Sequence, residues 1–228
     1  MTSQVKPYDL FNSHPFVFNN SKLVKYGESN IKLFHISPIK EDVKFNIQLP
    51  TRYARNEYID IPRISTAPSI IECIMGFNIF IDNSVELFME YGLSTFCAYS
   101  IYRFDNWKAL RPNKRLVPTM ALCDEYWIYS EGFSQKRIAE MYVTSISRQG
   151  LTKKEKSVGS DTFTMVFEFH NIADAKAIMI YDDMYNSQLK SKYIRYTTSN
   201  CKRGYVLQYI SLSELNDIKK HSVYVGVK

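Results

Sequence analysis

The chain has 228 residues, 45% hydrophobic and 23% charged, with eight Gly and eight Pro, which excludes disorder over most of its length and fits one globular domain or two small ones. Seventeen Tyr, 14 Phe and 2 Trp put aromatic content at 14%, so aromatic rings are expected at or near the surface, and 29 Lys plus Arg against 23 Asp plus Glu leave a net charge of +6. A chain of this size buries roughly 70% of its extended surface and requires neither disulfide nor structural metal.

The first 20 residues are polar, with Pro7 and Pro15, and read as an extended amino-terminal arm; residues 21–228 read as a single β-rich domain. No secretory signal and no run of 18 uncharged apolar residues is found, so a reducing intracellular setting without membrane insertion is expected. Period-two patterning predicts strands over 31–36 and 43–49, the second with Val43, Phe45, Ile47 and Leu49 on one face and Lys44, Asn46 and Gln48 on the other. A helix is predicted over 69–75, begun by Thr66-Ala67-Pro68 and closed by Gly76. A hairpin over 77–90, turning at Asp82-Asn83, and strands over 95–103, 116–122, 125–129 and 141–148 follow. A short helix is predicted over 134–140, a loop over 149–161, strands over 163–170, 177–181, 193–198, 204–210 and 223–227, and a helix over 212–220 capped by Ser211 or Ser213. The expected fold is mainly β, an antiparallel sandwich of jelly-roll type with two or three short helices.

Chemistry that needs clustered residues is missing from the sequence. The eight glycines are scattered, so neither a dinucleotide fingerprint nor a phosphate loop is present. No serine sits between the two glycines of a nucleophile elbow. Cys73, Cys97, Cys123 and Cys201 contain no close pair and read as core thiols, and the four histidines, His14, His35, His170 and His221, form no metal-ligand spacing. No cofactor and no metal are expected. Of the acidic pairs Glu41-Asp42, Asp124-Glu125 and Asp182-Asp183, only one held in a turn would let both carboxylates share a cation or proton. An enzyme assembled from dispersed residues would draw on His170, Asp182 and Asp183.

The basic residues are unevenly placed. Between 190 and 203 lie Lys190, Lys192, Arg195, Lys202 and Arg203 with no acid, interleaved with Tyr193 and Tyr196, and this segment carries nearly the whole +6. Cations that neutralise phosphate beside rings that stack on bases are what a single-strand nucleic-acid surface needs.

Three blocks, Ala67-Pro68-Ser69-Ile70-Ile71-Glu72 with Gly76-Phe77, Glu125-Tyr126-Trp127-Ile128, and Phe163-Thr164-Met165-Val166-Phe167-Glu168-Phe169 with Ala177-Ile178-Met179-Ile180-Tyr181, occur in this order. In this the chain resembles a family of tailed-bacteriophage-encoded proteins with no assigned biochemical role. Asp174-Ala175-Lys176 stands where a Gly-Glu/Asp-Pro turn would be expected. The resemblance implies a β-rich phage-type protein and carries over no catalytic residue.

The leading expectation is a non-enzymatic viral structural or accessory protein that acts through contacts with a viral or host protein or with its own copies, in the host cytoplasm or the virion. Nucleic-acid binding through 190–203 is one alternative, and a dispersed-site enzyme another.

Overall fold

Short strands dominate the computed structural model, which describes residues 24–26, 31–38, 40–51, 57–76, 96–117, 123–148, 161–178, 190–199 and 204–224. In chain order these are β1 (Val24–Tyr26), β2 (Leu33–Ser37), β3 (Ile64–Thr66), α1 (Ile70–Gly76), β4 (Phe96–Asp105), β5 (Ala109–Pro112), β6 (Tyr126–Ile128), β7 (Ser134–Arg148) and β8 (Asp161–Phe169). After these come α2 (Ile172–Ala175) with a 3-10 turn (Lys176–Ile178), β9 (Tyr193–Ser199), β10 (Gly204–Tyr209), α3 (Leu212–Lys220) and β11 (Ser222–Tyr224). The mainly β class expected from the periodicity is the one observed. The arm at 1–20, the hairpin at 77–90 and the loop at 149–160 lie outside the described residues.

One sheet has the order β1-β5-β6-β3; the other runs β10-β9-β8-β7-β4-β11, with β2 also paired to β4. The pairs β1–β5, β5–β6, β6–β3, β10–β9, β9–β8 and β8–β7 are antiparallel, and β11 pairs with β4 in parallel. By internal contacts the chain divides into two compact units: Met1–His35, Val43–Gly76 and Tyr102–Lys136 form the first, and Ile36–Asp42, Phe77–Ile101 and Arg137–Lys228 the second.

In the first unit the centre of the smaller sheet, along β5 and β6, has buried side chains on both faces. Alternation along β5 and β6 sends Ala109, Tyr126 and Ile128, with Ile64 of β3, against Leu33, Tyr102 and Phe104. It sends Leu110 and Trp127 the other way, among Ile61, Leu116, Val117 and Tyr129. Two strand layers around an apolar centre give this unit a sandwich-like build. In the second unit, α3 lays Leu215 and Ile218 on Ala98, Tyr142 and Val166 of the larger sheet.

Several local expectations are corrected. Residues 134–140 are the start of β7, not a helix: Ala139 and Glu140 pair with Phe169 and Glu168 of β8, and this ladder overrides the helical preference of Gln, Lys, Arg, Ala and Glu. Segment 43–49 has the predicted alternation but, among the described residues, no ladder and one bridge, Gln48 to Arg63. Side chains replace the neighbouring strand there. The N–H of Val43 donates to the Tyr102 hydroxyl (3.1 Å), that of Phe45 to Gln135 Oε1 (2.9 Å), and Gln135 Nε2 donates to the Val43 carbonyl. Leu49, expected inside, is exposed.

Helix α1 is capped by Ser69 rather than Thr66. The Ser69 hydroxyl accepts from the Glu72 N–H (3.1 Å) and donates to Glu72 Oε2 (2.8 Å), closing a capping box, whereas Thr66 ends β3 and donates to the Tyr126 carbonyl (2.9 Å). Gly76 is the last described residue of α1, and a Cβ added there would meet Cys123 Sγ at 3.0 Å. Leu116 and Val117 belong to a turn in which both N–H groups reach the Asn113 carbonyl, so the strand predicted to begin there does not. Residues 176–178 form a 3-10 turn in place of the start of a strand. Cys97 and Cys123 are buried thiols, as expected, and Cys73 is half-buried with Sγ 3.0 Å from the Phe34 carbonyl.

Candidate functional site

The acid-free segment 190–203 is the candidate that the sequence marks most clearly, and the structure distributes its residues over two faces. Successive side chains of β9 alternate, so Tyr193 and Arg195 share one face while Ile194 and Tyr196 share the other. Tyr193 is drawn against the α3 cluster, and Lys192 Nζ lies 5.3 Å from its ring centroid. Arg195 is engaged in an ion pair with Glu214 of α3. Tyr196 is 4% exposed, which removes its ring from any base-stacking surface. Lys190 is exposed and its N–H donates to the Tyr209 hydroxyl (3.0 Å). Lys202 and Arg203 lie outside the described residues. Tyr193 and Tyr196 are three positions apart, an odd offset, and a strand necessarily puts them on opposite sides.

Next to β9 stands β10, the end strand of the larger sheet among the described residues. It contains no charge and no proline, and Val206 (55% exposed) and Tyr209 (50%) are largely open, as is Leu212 (52%) at the start of α3. The phase of its ladder is fixed by the Ile210 N–H, which donates to the Tyr193 carbonyl (3.4 Å) in the register that pairs Tyr209 with Ile194. Hydrogen-bonded pairs alternate along an antiparallel ladder. Val206 and Gln208 therefore turn their backbone groups to β9, and Leu207 turns its own to the outer edge. An end strand without Lys, Pro or bulge lacks the features that ordinarily block pairing with another chain.

Two polar clusters were not visible in the sequence. On β7 of the second unit, Glu140 accepts hydrogen bonds from the hydroxyls of Tyr142 (2.6 Å) and Tyr224 (2.8 Å) and from Arg137 (2.8 Å). Burial by itself would raise the Glu140 carboxyl, but the two phenols and the charges of Arg137 and Lys219 outweigh it and hold the group below its ordinary value. Burial, reinforced by the same carboxylate, pushes both phenols up. Glu140 and Tyr142 sit two apart on one face of a strand, but Tyr224 is 84 positions away, and no spacing rule links them.

In the first unit, the fully buried Arg63 guanidinium lies 4.1 Å from the Trp127 ring centroid, pairs with Glu57 and donates to the Ile61 carbonyl (3.0 Å). Trp127 Nε1 donates to Glu125 (2.9 Å), whose carboxyl is raised, chiefly by burial and then by the charge of Glu57. The adjacent Asp124 instead pairs with Arg111, so the two members of this acidic pair serve different partners. These clusters tie strands and loops together with donors and acceptors in structural roles.

Of the enzyme candidates, His170 is exposed just beyond β8, where its N–H donates to the Ile138 carbonyl (2.9 Å), and Asp182 and Asp183 lie outside the described residues. His35 is half-buried, its Nδ1 2.8 Å from the Ser65 carbonyl. Among the described residues no group of three or more His, Cys, Asp or Glu is placed to hold a metal ion, and no helix is long and apolar enough to cross a membrane. No protein-family model, no curated protein and no solved structure matches the chain.

Proposed function

We propose that this protein acts through protein–protein contacts, as a non-enzymatic viral structural or accessory protein, and that the outer edge of β10 is its contact surface. The observation that carries the reading is an uncharged strand that stands, among the described residues, at the end of its sheet with Val206 and Tyr209 half open to solvent. Such an edge offers main-chain donors and acceptors in a fixed row, and an extended partner segment completes them by adding a strand. The viral setting rests on the sequence resemblance alone. Burial of Tyr196 and engagement of Arg195 by Glu214 count against base stacking along β9.

Panning a random peptide library on the protein and on Leu207→Pro tests this. Proline at 207 removes an outward N–H while leaving the bonds to β9 intact. Peptides enriched on the parent chain and lost on a folded Leu207→Pro variant are expected. Equal enrichment on both would refute the edge as the contact surface.

A further inference from the structure

We infer that the strand received by β10 is the β10 of a second copy of this chain, paired antiparallel about a two-fold axis at Leu207. This rests on the edge-strand reading above and names the partner. Val206 and Gln208 turn their backbone groups to β9, so the outward-facing positions are the odd-numbered ones, with Leu207 in the middle of 205–209. A second copy laid antiparallel on this edge is in bonding phase only where odd-numbered residues stand opposite one another. With the axis at Leu207, positions 205–209 all fall inside the paired stretch, and each Leu207 exchanges both main-chain bonds with its counterpart. Val206 of each copy then stands opposite Gln208 of the other. An axis at Val206 or at Gln208 would leave one of the three outward-facing residues of the strand outside the pairing.

Charge, order and closure select this occupant. Gly204–Tyr209 carries no charge, so an ionic segment finds no counter-charge along the strand and a second copy meets no repulsion there. On the face that Val206 and Gln208 share, the paired positions of β9 are Thr197 and Arg195, and Arg195 is taken by Glu214. A flexible neutral segment offers the same main-chain bonds but must be ordered on arrival, whereas each β10 is already held extended by β9. Pairing about the axis covers Val206, 55% exposed, in both copies at once. It uses the same edge twice and closes at two, where an open uncharged edge would continue to recruit strands. The surface covered amounts to a few half-open side chains per copy, short of the roughly 1,200 Å² of a stable specific interface, so a dimer of micromolar affinity is expected.

Sedimentation velocity of the full chain over a micromolar concentration series tests this. The parent chain is expected to pass from monomer to dimer as concentration rises, and a folded Leu207→Pro variant to remain monomeric. Two double variants test the axis without proline. Val206→Lys with Gln208→Lys sets lysine opposite lysine at both contacts and is expected to weaken the dimer about tenfold. Val206→Glu with Gln208→Lys sets opposite charges there and is expected to keep dimerisation within about threefold of the parent. Gln208→Lys is common to both, so its pairing with Arg195 of β9 cancels in the comparison. A chain that stays monomeric throughout, while the peptides it captures are still lost in Leu207→Pro, overturns the second copy and leaves the edge standing. A Leu207→Pro variant that keeps both the dimer and the captured peptides overturns the edge itself. Equal dimerisation of the two double variants overturns pairing about Leu207.

Discussion

Replacing Glu140 probes the cluster that connects β7 to β11. In Glu140→Ala the hydroxyls of Tyr142 and Tyr224 and the Arg137 guanidinium lose a common acceptor at 2.6–2.8 Å. A hydrogen bond to a charged group contributes about 1.5–3 kcal/mol when well buried. The Glu140 side chain is 20% exposed, so water recovers part of each bond, and a loss of about 3 kcal/mol is expected for the three together. Glu140→Gln keeps one carbonyl acceptor and should lose about half as much. Urea denaturation followed by far-ultraviolet circular dichroism measures both, and the pH dependence supplies an independent readout. Because the folded carboxyl titrates below its ordinary value of 4.5, its contribution is fully present above that value and is lost as pH falls through the lower folded value. The gap between the parent chain and Glu140→Gln should therefore narrow below about pH 4.5. A double-mutant cycle with Tyr224→Phe should show coupling of roughly 1 kcal/mol; additivity within about 0.3–0.5 kcal/mol would refute the reasoning.

Burial lowers the His35 imidazole from 6.5, opposed by its bond to Ser65, so the folded state binds fewer protons than the unfolded chain. Its stabilisation is present above 6.5 and declines as pH falls below it, by up to about 1.4 kcal/mol per pH unit, and thermal melts of His35→Gln should lack this slope between pH 6.5 and 5. Gly76→Ala should lower stability by about 1–2 kcal/mol, because the new Cβ meets the buried Cys123 Sγ at 3.0 Å and this crowding exceeds the helix preference of Ala. Adding Cys123→Ala should restore part of that loss in the same urea titration; no rescue would show that the close approach is not the cause.

Alternation was the sequence's most dependable signal, since inward and outward positions on a strand are set locally by the backbone. The strands predicted over 31–36, 95–103 and 163–170 coincide with β2, β4 and β8, in which Leu33, Phe34, Tyr99, Ile101, Met165 and Phe167 are buried. The helix over Leu212–Lys220 was likewise legible, because Ser211 and the terminal Lys219 and Lys220 mark its ends within ten residues. Where a segment's fate depended on a distant neighbour, pattern failed. Ser134 to Glu140 has helix-forming residues but is a strand because β8 lies beside it, and 43–49 has strand pattern but finds Tyr102 and Gln135 instead of a ladder.

The same division holds for the candidate site. Sequence alone located the acid-free run of cations at 190–203 and the aromatic surplus, because charge and ring content are properties of residues. Only the tertiary structure decided which of them are available. Strand geometry separates Tyr193 from Tyr196, α3 supplies Glu214 to Arg195, and the sheet order leaves β10 at the end. Pairing across a sheet joins residues remote in the chain, so the edge at Leu207 and the Glu140–Tyr224 contact exist only once the strands have been assembled.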